Sequence, residues 1–272
     1  MLEAKSEKFW DLIDRSAEIK QVATGFEFTE GPVFSRRGYL LFSDIPNERI
    51  HKWERGELSV LREKSNKANG LTFDHQGRLL MAEGGARVTR MEKNGSITVL
   101  ASDGLNAPND LVYAIDGSVY FSDLPAGKVY QITRERSGVG GAPPRGEVRV
   151  VLESPRPNGV ALSPNQRSLY VADVGRSVVS VYPIQKDGRL GPGRDFAPLR
   201  VDGLKTDEGG NVWMASRDGV YVYDSSGAHL GAVKTPEGPS NCCFGAGFRG
   251  LYITARKSVY HVPTKISGTR TF

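Results

Sequence analysis

The chain has 272 residues, 36 of them Lys or Arg against 31 Asp or Glu, for a net charge of +5 with a quarter of all residues charged. Its basic residues are scattered rather than gathered into a run, which argues against a nucleic-acid partner, and no apolar stretch approaches the roughly 18 residues of a membrane span. The opening MLEAKSEKFWDLIDRS is charged throughout and lacks the apolar centre of a secretory signal, and the only two cysteines, Cys242 and Cys243, are adjacent. Together these point to a reducing, cytoplasmic setting with small buried thiols rather than a disulfide framework.

In chain order, residues from about Ser6 to Arg15 predict a short helix: Phe9, Leu12 and Ile13 share one face, and Ser6 can cap it. Glu18 to Thr24 (EIKQVAT) reads as a strand. A circular array of sheets must close, and this strand is expected to be the outermost of the last sheet, tying residues near 20 to residues near 265 and removing an exposed edge.

From Glu30 the chain repeats one pattern six times: a polar residue opens a short apolar strand, a tight turn follows, and a second apolar strand runs back. The copies are EGPVFSRRGYLLFSD from Glu30, NGLTFDHQGRLLMAE from Asn69, NDLVYAIDGSVYFSD from Asn109, NGVALSPNQRSLYVAD from Asn158, DGLKTDEGGNVWMAS from Asp202 and NCCFGAGFRGLYITA from Asn241. Their starts lie 39, 40, 49, 44 and 39 residues apart. A period of about 40–45 residues with several short strands per unit is the signature of a β-propeller blade. The fold class is therefore all-β, a six-bladed β-propeller with a short N-terminal helix, and residues 1–272 form a single domain. The inner strands are near-continuously apolar, as in Leu71–Phe73 with Leu79–Ala82, which suits strands covered on both faces. The longest interval holds a loop, SGVGGAPPRG, at 137–146, and the tail Val262–Phe272 is too polar to extend much beyond a strand end.

The first strand of each blade lines the central channel, so equivalent residues converge on one axis. Glu30, Asn69, Asn109, Asn158, Asp202 and Asn241 would ring one mouth. Asn and Asp at strand starts often only satisfy turns through their own side chains, but six in phase, acidic in copies 1 and 5 alone, exceed what turn chemistry asks. Unpartnered burial of such groups costs roughly 1–3 kcal/mol each, and a central cation removes that cost. Two carboxylates among amide oxygens, with no His or Cys, suit Ca²⁺ better than Zn²⁺. His51, His75, His229 and His261 fall in turns or outer strands. A second set of carboxylates, Asp44, Glu83, Asp123 and Asp173, ends the second strands of copies 1 to 4 and is expected to brace loops through backbone amides, with Glu83 also kept as a substrate-side candidate. Arg87 and Arg217 follow the second strands of copies 2 and 5, within reach of an anionic substrate at the rim. No G-x-S-x-G elbow, H-E-x-x-H, Walker loop or EF-hand loop occurs, and Gly138-Val139-Gly140-Gly141 lacks the flanking strand and helix of a dinucleotide site.

FTEGPVF at 28–34, LLFSDIPNERIHKW at 40–53, NGLTFDHQGRLL at 69–80, NAPNDLVYAIDGSVYFSD at 106–123 and PNGVALSP at 157–164 resemble the gluconolactonase/regucalcin-like family of six-bladed propellers. The likeness spans about residues 25–260. It implies one catalytic divalent metal held by Glu30, Asn158 and Asp202, with Asn109 as a fourth ligand or a substrate contact and Asp202 doubling as general base. Asn69 and Asn241 rest mainly on the repeat phase, as substrate-side residues. The expected activity is hydrolysis of a small lactone, in the manner of a gluconolactonase, with Ca²⁺ the first choice of ion and Zn²⁺, Mg²⁺ or Mn²⁺ open. The alternatives are phosphotriester hydrolysis at the same site, with Asp202 as nucleophile, and a non-enzymatic propeller whose metal is structural. Many family lactonases carry Arg or Lys shortly before the PND motif, where this chain has Gly104-Leu105-Asn106-Ala107, and an aromatic or basic segment where it has Leu124-Pro125-Ala126-Gly127. Both departures bear on the substrate and leave the metal set intact.

Overall fold

Six antiparallel sheets succeed one another along the chain of the computed structural model, which describes residues 1–136, 146–245, 247 and 249–270. The Gly138–Gly141 cluster, nearly all of the loop expected at 137–146, and the last two residues lie outside the described residues.

Each blade begins with a strand that carries one copy of the repeat: Thr29–Phe34, Ala68–Phe73, Pro108–Tyr113, Pro157–Leu162, Val201–Thr206 and Pro239–Phe244. These first strands pack against one another around the ring, blade 6 against blade 1 included. Their side chains and those of the second strands are almost entirely buried, because neighbouring blades cover both faces. Closure comes from Lys20–Thr24, the outer strand of blade 6, paired antiparallel with Ser258–Pro263 so that Lys20 faces His261 and Thr24 faces Ser258. The expected closing strand is thus in place.

The N-terminal helix is shorter than the apolar spacing predicts. It spans Phe9–Leu12, with Lys8 rather than Ser6 at its N-cap and no side-chain cap. Ile13 is already extended, and Asp14 accepts from the backbone N–H and hydroxyl of Ser16, a local turn that competes with further helix. The predicted face still does its work: Phe9, Leu12 and Ile13 pack with Trp213, Val220, Val222 and Leu230 against the outside of the propeller. One element went unread. Leu2–Ala4 adds a fifth strand to blade 5, pairing with His229–Lys234.

At the start of every first strand the register slips against the second strand. In blade 3, Pro108 faces Asp123 and Leu111 faces Phe121, so Asn109 and Asp110 together oppose Ser122. Such a bulge re-aims side chains and breaks strict alternation. It leaves the second bulge residue hard against the next blade. A Cβ on Gly31 would stand 1.9 Å from the Asn69 carbonyl oxygen, and one on Gly203 would stand 2.0 Å from Asn241 Cγ. Glycine at these points lets the first strands close in around the axis.

The far end of the channel is covered by the C-terminal segment. Gly268 bridges to Asp207, and the Thr269 N–H donates to the Thr206 carbonyl at 3.0 Å. Between this cover and the polar mouth lies an 80 Å³ cavity, walled by residues such as Val33, Val112, Ala161 and Cys243 with Lys205 among them. Cys242 and Cys243 are free and buried, and burial pushes the Cys242 thiol up to about 12, as expected of inert packing residues. Of the histidines, His75 sits in a turn, while His51 lies buried in the third strand of blade 1, stacked on Phe42. No helix among the described residues is long and apolar enough to cross a membrane.

Candidate active site

The bulges set the polar mouth. Register places Glu30, Asn69, Asn109, Asn158 and Asp202 at one level, each next to the residue that opens its first strand. The sixth member of that level is Ser240, not Asn241: Pro239 pairs with Ala255 as Pro108 pairs with Asp123, so Ser240 matches Asn109 and Asn241 matches Asp110. The repeat phase expected for copy 6 is therefore off by one residue. The signal was available, since Pro108, Pro157 and Pro239 each precede the ring residue of their blade. Asn241 is 1% exposed and stands one level deeper than the ring, where it supports Glu30 from within rather than facing the mouth.

Glu30 is buried, and its Oε2 accepts from the Gly31 N–H at 2.7 Å and from Asn241 Nδ2 at 3.1 Å. Asn158 Nδ2 donates to Asp202 Oδ1 at 2.7 Å, and among the described residues the Asn158 amide oxygen has no hydrogen-bond donor. Asn69 and Asn109 are half-buried, and among the described residues their side-chain amides make no hydrogen bond. The ring thus combines two carboxylates with amide groups that have spare capacity toward the axis.

Its electrostatics disfavour two unneutralised negative charges. Burial first, and then repulsion from Asp202 and Asp110, hold Glu30 well above the usual carboxylate range, against the Gly31 and Asn241 hydrogen bonds. Burial also lifts Asp202 to about 6, with Asp110 adding to the rise, while the Asn158 hydrogen bond, Arg200 and Arg256 oppose it. Carboxylates so placed ionise together only with positive charge among them. Among the described residues no three His, Cys, Asp or Glu side chains form a metal-binding group by themselves. The donor set here is mixed, Glu30, Asp202 and the free Asn158 oxygen, and all-oxygen donors of this kind fit a hard divalent ion.

The remaining sequence candidates lie elsewhere. Glu83 has no exposed side chain: Arg62, Arg87, Asn66 and Thr89 all donate to it. It braces the entry to blade 2, and Arg87 is tied to it. Asp44, Asp123 and Asp173 likewise take loop N–H groups, those of Phe28, Asn106 and Gly175 among others. Arg217 is exposed, in the turn between the second and third strands of blade 5. Two residues escaped the sequence reading. Asp110 is buried directly after Asn109, and Lys205 stands three residues after Asp202 with Nζ 3.8 Å from Asp110 Oδ2. The signal for Lys205 was a lysine three residues after the ring residue, where the other blades carry Val33, Thr72, Val112, Ala161 and Cys243.

A family model described as the SMP-30/Gluconolactonase/LRE-like region matches residues 28–257. The chain belongs to this family. A gluconolactonase of Zymomonas mobilis subsp. mobilis is 29% identical over 299 residues, covering 94% of this chain and 84% of the relative. Among solved structures, a gluconolactonase of Xanthomonas campestris superposes with a TM-score of 0.88 at 28% identity, over 97% of this chain and 94% of that one. The calcium-binding protein regucalcin of Agrobacterium tumefaciens shares the fold at a TM-score of 0.79 and 18% identity, over 94% of this chain and 96% of its own. The family match thus spans the whole polar ring, from Glu30 to Ser240.

Proposed function

We propose that this protein is a metal-dependent hydrolase that opens a small lactone, with a sugar-acid lactone of the gluconolactonase kind as the substrate class. The observation that carries the reading is the pair of axial carboxylates, Glu30 and Asp202, raised by burial and by acidic neighbours beside amides with free capacity. The gluconolactonase relatives supply the substrate class. Glu30, Asn158 and Asp202 would hold one divalent cation, with Ca²⁺ best suited to the oxygen donors. Bound there, such an ion supplies Lewis acidity toward a carbonyl oxygen and charge stabilisation of the oxyanion.

The chain's own residues do the rest. Asn241 and the Gly31 N–H fix the Glu30 carboxylate. The Asn158 amide holds Asp202 in place. Asp202 takes a proton from the attacking water as the water oxygen bonds to the lactone carbonyl carbon. The ring C–O bond then breaks, and that proton passes to the departing alkoxide oxygen, giving the hydroxy acid. Asn109, with an unengaged amide, orients the ring oxygen or hydroxyls of the substrate. Burial raises Asp202 to about 6, and a cation bound beside it would favour the ionised form that the base role needs.

The test is a pH-indicator assay over a panel of small lactones, with chelator-stripped protein and Ca²⁺, Mg²⁺, Mn²⁺ or Zn²⁺ added back. Turnover of at least one lactone that disappears on stripping and returns with a divalent ion is the expected result. No turnover of any lactone under any ion refutes the reading.

A further inference from the structure

Directly below the ring the channel holds a second tier that four blades leave to glycine. At the second bulge position, Gly31, Gly70, Gly159 and Gly203 contrast with Asp110 in blade 3 and Asn241 in blade 6. Asp110 is 3% exposed. Its Oδ1 accepts from the Leu111 N–H at 2.9 Å, and its Oδ2 accepts from the Val160 N–H at 3.4 Å and faces Lys205 Nζ at 3.8 Å. The same ammonium donates to the Leu204 carbonyl at 3.0 Å and to Asn241 Oδ1 at 3.5 Å, and Asn241 in turn donates to Glu30. A charged path thus runs from Asp110 through Lys205 and Asn241 to a ring carboxylate.

Nothing in the packing explains a lysine here. At the matching position the other blades carry Val33, Thr72, Val112, Ala161 and Cys243, the walls of the small lower cavity. Among the described residues Lys205 is the one cationic side chain lining that cavity. The Lys205 side chain is 25% exposed, and an ammonium partly withdrawn from water is favoured where it meets opposite charge and hydrogen-bond acceptors. The charge count gives the reason. Glu30, Asp202 and Asp110 place three carboxyl groups about the axis; Arg200 and Arg256 act on Asp202 at longer range, and Lys205 is the cation that meets Asp110.

We propose that Lys205 is a charge-balancing residue: by neutralising Asp110 beneath the ring it lowers by one the negative charge that a divalent cation in the ring would meet. This rests on the cation site proposed above. In a shielded channel an added or removed unit charge acts over several ångströms, and the affinity and preference of oxygen-donor sites follow their charge count. Lys205 acts through its neighbours and touches neither substrate nor ion.

The test is calorimetric titration of metal-stripped protein with Ca²⁺ and, separately, Tb³⁺, in wild type, Lys205→Gln, Lys205→Arg, Asp110→Asn and the Asp110→Asn/Lys205→Gln double variant. Lys205→Gln keeps an amide donor and should bind Ca²⁺ roughly tenfold more tightly, with a rise of similar size in preference for Tb³⁺ over Ca²⁺. Asp110→Asn should bind Ca²⁺ roughly tenfold more weakly, and the double variant and Lys205→Arg should return to about wild type. Weaker or unchanged binding in Lys205→Gln, or no recovery in the double variant, overturns the proposal while leaving the cation site standing. A Lys205→Gln chain that fails to fold while Lys205→Arg folds makes the charge structural and also overturns it. A wild-type protein that binds neither ion refutes the cation site and this proposal together.

Discussion

Replacing Asp202 with Asn lowers lactone turnover by about 10²–10⁴-fold, the range for loss of a positioned general base, and leaves the propeller folded. The substitution is nearly isosteric, and the oxygen that accepts from Asn158 Nδ2 at 2.7 Å is retained. What goes is the negative charge. Asp202 titrates in the folded protein at about 6, raised from its ordinary value chiefly by burial. A carboxyl with a raised folded value favours the folded state below the unfolded value and loses that advantage as pH climbs through the folded value. Above its raised value the ionised group is therefore a burden on the metal-free fold, and at pH 8 the Asn variant should melt at the same temperature or higher. Circular dichroism melts beside the indicator assay separate the two effects. Unchanged turnover in a folded variant would remove Asp202 from the chemistry.

The second large effect is the pH dependence of metal loading. Both Glu30 and Asp202 must be ionised to hold a cation, and both are raised, Asp202 to about 6 and Glu30 well above its ordinary range. Protons and metal then compete for the same oxygens. Below about pH 6 the dissociation constant should rise roughly tenfold per pH unit where one proton is taken up, and up to about a hundredfold where both carboxyls protonate. Titrations in buffers of different ionisation enthalpy should count protons released on binding. Stability follows with the same sign. The metal-free protein loses stability as pH rises through these raised values, so the melting-temperature gain from added metal should be larger at pH 8 than at pH 5. A dissociation constant independent of pH from 5 to 8 would mean that neither carboxyl is a ligand.

The propeller was legible because each copy repeats the same local physics: a polar strand start, an apolar pair of strands, and turn residues such as Asn94-Gly95 and Asp116-Gly117, where both glycines adopt positive φ. Closure was legible because Glu18–Thr24 reads as a strand with no partner in blade 1. Five of six ring positions were legible for the same reason. The sixth slipped because Asn241 mimics the ring pattern, whereas the bulge counts from Pro239. The second tier could not be read by alternation at all, since a bulge sets two consecutive residues against one and cancels the period of two that strand reading assumes. Asp110 thus passed as an ordinary neighbour of Asn109. The helix was overextended because its apolar face is correct through Ile13, while the turn that stops it is made by the side chain of Asp14. Leu2–Ala4 is too short and too polar to announce itself; it is a strand only because His229–Lys234 offers an edge.

The measurement that bears most directly on this account is an anomalous-difference map from crystals of the metal-stripped protein soaked in Mn²⁺ at neutral pH. The expected result is one strong peak on the propeller axis, bonded to Glu30, Asn158 and Asp202 and absent from the same soak of Glu30→Gln. A map with no axial peak, or with a peak bonded to other residues, would contradict the ring as the metal centre and the hydrolytic mechanism built on it.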